Sequence, residues 1–120
     1  CTKDALMLEP GTDLSGARAV NASMRNSVLA GVDLGGATLV YADLTGATLR
    51  GATLDRADLE GAVLRAADLR EASFVDATLH HADLREARLD GADFRGADTT
   101  SVVWPDGGRC ADTAAAACPQ

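Results

Sequence analysis

Aromatic side chains are scarce in this chain. Trp104, Tyr41, Phe74 and Phe94 make up 3% of 120 residues, although hydrophobic residues as a whole reach 47%. A core filled mainly by Ala and Leu has to be narrow and repetitive, because few large rings are available to fill a wide one. Lysine is almost absent, Lys3 being the only one, and acidic residues outnumber basic ones 18 to 11, for a net charge of −7. Direct nucleic-acid binding through phosphates is therefore not expected. No run of roughly eighteen apolar residues occurs, so no helical membrane span is expected. The length suits one domain.

What the chain does have is a period of five, seen in Thr-Asp-Leu-Ser-Gly (12–16), Ala-Asp-Leu-Thr-Gly (42–46), Ala-Asp-Leu-Glu-Gly (57–61) and Ala-Asp-Leu-Arg-Glu (67–71, 82–86). Seventeen central residues follow without an insertion: Leu14, Ala19, Met24, Leu29 and so on to Phe94. Two residues before each centre stands a small residue, nearly always Ala, with Thr12, Ser27 and Val32 as departures. On an α-helix a step of five rotates by about 140°, which leaves no buried stripe. On a flat strand it flips the leucine to the other face. The pattern is satisfied if Ala and Leu point inward from a short extended segment and the other residues turn a corner. Four corners close a square coil of twenty residues, and coils stack about 4.8 Å apart. Residues twenty apart then form columns, one holding Leu14, Leu34, Leu54, Phe74 and Phe94. The seventeen segments make a little over four coils, a rod roughly 20 Å long.

These tandem Ala-Asp/Asn-Leu-x-x units resemble the pentapeptide repeat family over residues 12–98. The resemblance implies an all-β fold, a right-handed quadrilateral parallel β-helix. Members are widespread in bacteria, most without a known activity, and the best understood mimic DNA and inhibit or protect DNA gyrase.

The ends are expected to be caps, since a solenoid has to protect its terminal coils. Residues 1–11, with Pro10-Gly11 as an entry turn, are the candidate N-terminal cap. Thr99 is expected to break the register, so that residues 99–120 form a C-terminal cap and Cys-containing tail. Trp104 is expected over the last coil near Phe94, as a cap or as the seam of a homodimer. Cys110 and Cys118 either lie in a helix, which would hold their Cα atoms roughly 12 Å apart, or form a disulfide. The disulfide is favoured, because a short tail without a core of its own is the kind of segment a bridge holds. The tail is also similar to those of exported family members. Cys1 resembles the lipidated first residue of a mature bacterial lipoprotein, the alternatives being a free thiol or pairing elsewhere. Membrane association is expected only if Cys1 is lipidated.

With the interior filled, chemistry is confined to the outer faces. Asp13, Asp33, Asp43, Asp58, Asp68, Asp83, Asp93 and Asp98 precede the centres, where a short acceptor can bond nearby backbone at a corner. Arg25, Arg65 and Arg85 follow the centres on one face, with Thr45 between the first two, and Arg50 and Arg70 do so on the next. This basic stripe could meet an anionic partner or polysaccharide, although nearby Glu71, Glu86 and Asp90 favour a solvated salt-bridge lattice. His80 and His81, with Glu60 one coil below, are weak metal candidates: adjacent side chains on a bend should diverge, and no firm third ligand appears. No nucleophile–base arrangement is visible. No cofactor and no enzymatic activity are expected. The reading is an exported interaction or structural module, secreted, periplasmic or in the cell envelope, with an unknown protein or envelope partner. The alternatives are a cytoplasmic gyrase-directed DNA mimic and an engineered solenoid without activity.

Overall fold

The computed structural model describes residues 8–105. Parallel bridges join residues twenty apart, from Asp13 with Asp33 to Asp83 with Val103, so each coil contains four five-residue sides. Residues 32–36 show how one side meets its five backbone N–H groups. Val32 donates to the Leu29 carbonyl across the corner at 3.1 Å, Asp33 to Thr12 in the coil below at 2.9 Å, and Leu34 to Thr53 in the coil above at 2.7 Å. Gly36 donates to Asp55 above at 2.8 Å. The remaining amide, that of Gly35, donates to the Asp33 carboxylate at 2.9 Å. Every donor on this side is paired, as buried or half-buried backbone requires.

Corners have a fixed conformation. The second residue after each centre has positive φ throughout, as at Gly36 (66°), Tyr41 (58°), Glu71 (62°) and His81 (64°). Glycine reaches this left-handed region freely, whereas other residues pay for it. At the entry, Thr12 N–H donates to the Glu9 carbonyl at 3.1 Å across Pro10-Gly11, with Gly11 at φ 87°. That is the Pro-then-Gly order a type II turn favours.

The interior is a solid column of side chains. Centres and small positions from Leu29 to Leu84 are exposed by no more than 1%. Phe74 and Phe94 stack with centroids 4.9 Å apart and planes 4° from parallel. In the first coil Leu14, Ala17, Ala19 and Ala22 are only half-buried.

Thr99 does not break the register. It occupies a centre and is buried, Val102 takes the small position, and Trp104 is the next centre at 2% exposure. Leu84 N–H donates to Val103 at 2.7 Å, and Val103 N–H to Ala82 at 3.0 Å. The ladder is made of backbone groups, so a Thr at one centre does not interrupt it. The helix continues to Pro105, giving nearly five coils, a rod of roughly 23 Å. At the other end Leu8 and Gly11 already pair with Val28 and Gly31, so residues 8–11 lie on the ladder as well.

Candidate interaction surface

The row of aspartates is structural first. All eight accept the amide of the residue two positions on, at 2.9 to 3.2 Å: Ser15, Gly35, Thr45, Glu60, Arg70, Arg85, Arg95 and Thr100 are the donors. Where Ser73 replaces Asp, Asp55 of the neighbouring coil takes over, accepting from Val75 N–H at 3.1 Å and from the Ser73 hydroxyl. The Arg70, Arg85 and Arg95 guanidinium groups hold Asp68, Asp83 and Asp93 below the usual carboxylate range. The hydroxyls of Ser15 and Thr100 do the same for Asp13 and Asp98.

The arginine stripe is present, and its members differ. Arg70, Arg85 and Arg95 close tightly on the aspartate two residues back, at 2.7 to 2.8 Å. Arg25 and Arg65 instead reach up one coil to Asp43 and Asp83, each with Nε 3.8 Å from a carboxylate oxygen. Arg50 lies 3.9 Å from Glu71. Between Arg25 and Arg65 the column holds Thr45, and Ala66 fills the adjoining corner. These short side chains leave an open hollow of about 470 Å³, also bordered by Asp43, Val63 and Glu86.

The rings of His80 and His81 do not diverge; their centroids are 4.0 Å apart. The left-handed φ of His81 turns its side chain back toward its neighbour. Among the described residues no group of three His, Cys, Asp or Glu is placed to hold a metal ion. No helix among them is long and apolar enough to cross a membrane. Phe94 and Trp104 meet edge to face at 5.7 Å and 81°, both buried. Cys1, Cys110 and Cys118 lie outside the described residues. Sequence reasoning passed over Tyr41 and Val20, which are 59% and 46% exposed. Val20 directly follows its centre and Tyr41 stands at the corner two after its own, both outward positions of the repeat frame, which was the available signal.

A filled square coil of stacked, mostly Ala and Leu, inward positions defines a β-solenoid scaffold. The chain belongs to the pentapeptide repeat family, whose sequence profile, described as Pentapeptide repeats, matches in 8 copies over residues 11–40, 27–65, 42–79 and 63–98. Among solved structures, trypsin-treated QnrB1, a plasmid-mediated fluoroquinolone resistance protein, is 30% identical over 78% of this chain and 48% of its own, with a TM-score of 0.72. A pentapeptide repeat protein from the Arabidopsis thaliana thylakoid lumen is 27% identical over 88% of this chain and 70% of its own, with a TM-score of 0.63. Rfr23 from the cyanobacterium Cyanothece shares the fold at 22% identity over 83% and 85%, TM-score 0.56. The coil is thus a right-handed quadrilateral parallel β-helix. This chain spans about half the length of QnrB1. No curated protein sequence matches it.

Proposed function

We propose that this chain is a non-enzymatic interaction scaffold that works outside the cytoplasm, in the cell envelope or secreted. The observation that carries the reading is the filled interior, exposed by no more than 1% from Leu29 to Leu84. A rod with no internal cavity there offers partners only its outer faces, where carboxylates and guanidinium groups are held in fixed rows. Cys110 and Cys118, read as a disulfide, and Cys1, read as a lipidation site, favour an oxidising or envelope location. The relative from a thylakoid lumen is consistent with it. Expression of the gene with its native 5′ end, followed by fractionation, should place the protein outside the cytoplasm, and a cytoplasmic product would overturn the reading. Intact mass of that product should rise by two hydrogens on reduction if Cys110 and Cys118 are bridged. A homodimer through the end that carries Trp104 and Phe94 is checked by sedimentation equilibrium.

One observation favours a second reading, a modulator of DNA gyrase: the similarity to QnrB1, a fluoroquinolone resistance protein. A DNA mimic profits from a long, continuous acidic face. On this rod Arg25, Arg50, Arg65, Arg70, Arg85 and Arg95 pair with carboxylates and so interrupt such a face. A supercoiling assay with purified gyrase decides: no effect at tens of micromolar retires the mimic.

A further inference from the structure

We infer that the hollow between Arg25 and Arg65 binds an acidic sugar, a pyranose unit carrying a carboxylate within a short glycan. Arg25 and Arg65 occupy the same column two coils apart, roughly 9.6 Å at the inter-strand spacing. That distance is comparable with the separation of alternate units in an extended glycan. Their ion pairs at 3.8 Å through Nε are longer than hydrogen bonds. Their side chains are 58% and 49% exposed, so each guanidinium can turn its planar fork toward a carboxylate. Arg85, closed on Asp83 through two nitrogens, is not comparably available.

The rest of the border selects what accompanies the negative charge. Asp43 and Asp83, the partners of Arg25 and Arg65, and Glu86 on the border partly offset the guanidinium charges, so a bare anion gains less there than a ligand that also supplies hydroxyl donors. Asp43 and Glu86 face the hollow itself. The same carboxylates are acceptors for hydroxyl donors, which a sugar supplies in number. Val63 and Ala66 add an apolar patch against which the C–H face of a pyranose can lie. The volume of about 470 Å³ falls in the range of small-molecule sites. The hollow exists because Thr45 interrupts a column that otherwise carries Arg25, Arg65 and Arg85.

The inference deepens the interaction reading above and depends on it only for where such a glycan would be met. The test is an NMR titration of the purified chain with trigalacturonic acid, whose first and third units carry the two carboxylates, with its full methyl ester as the uncharged counterpart. Saturable shifts are expected with the acid, with the ester weaker by about tenfold or more. Exchanging both Arg25→Ala and Arg65→Ala should weaken the acid by a similar factor. Thr45→Arg should abolish binding by filling the hollow while adding positive charge, and the fold should accept it because arginine already stands at the equivalent positions 25, 65 and 85. Circular dichroism confirms that the variants fold. No saturable shift, equal binding of acid and ester, or tighter binding by Thr45→Arg would each overturn the inference. Fractionation tests location separately, so either reading can fail alone.

Discussion

The amide following a centre is the donor that the ladder between coils leaves out, and at the eight units where Asp precedes the centre its carboxylate accepts that amide. Asp68→Ala should therefore cost about 1 kcal/mol by stranding the Arg70 amide. Asp68→Asn, which keeps an acceptor, should cost less, and urea denaturation compares the two. The aspartates also set a pH dependence. Asp68, Asp83 and Asp93 have folded-state values below those of the unfolded chain, so the unfolded chain protonates first as pH falls. Their stabilisation is complete above about pH 4 and is lost progressively below it; thermal midpoints measured from pH 7 to pH 2 should show this. The structural use of the aspartates was legible from their place in the repeat. The left-handed corner was equally available, because Gly or Asn stands at many of those positions, yet the reading overlooked it. Ala66, at φ 59°, marks a residue strained there: Ala66→Gly should stabilise by roughly 0.5–1 kcal/mol, the relief of the left-handed strain exceeding the entropy gained by the unfolded chain. Calorimetry reads the shift.

At the scale of one side of the coil, the Ala–x–Leu segment is too short to be a stable strand and depends on the segments above and below it. Leu64→Ala, in the middle of a filled column, should cost about 2–5 kcal/mol. Leu14→Ala should cost distinctly less, because Leu14 is half-buried in the first coil and less contact is lost. The comparison by chemical denaturation separates burial from sequence identity. Thr99 was legible as an exception to the pattern, but its consequence was not. A polar centre was expected to end the repeat, whereas the backbone bonds of Val103 to Ala82 and Leu84 carry the register past it to Trp104. Side-chain type at one position is weak information about a ladder held by main-chain groups.

For the whole molecule, stability is a sum over coils and their interfaces, as in any solenoid. Removing residues 45–64, one full coil, should leave a folded and less stable rod, because each column rejoins in register. Removing residues 45–47 should unfold it, since the inward residues would then face corners. Circular dichroism and size-exclusion chromatography distinguish the outcomes. The period of five determined, without any structure, which residues turn inward; the four-sided coil, and with it the pairing of residues twenty apart, is what the family resemblance implied. The inward positions were legible because the pattern is local and every unit obeys the same geometry. Tertiary structure decided the remainder: that Arg25 and Arg65 reach to the next coil while Arg85 closes on its own, that Thr45 and Ala66 leave a hollow, and that the rings of His80 and His81 meet. Those outcomes depend on the lengths and rotamers of side chains a coil apart, which a repeat frame places side by side but does not orient.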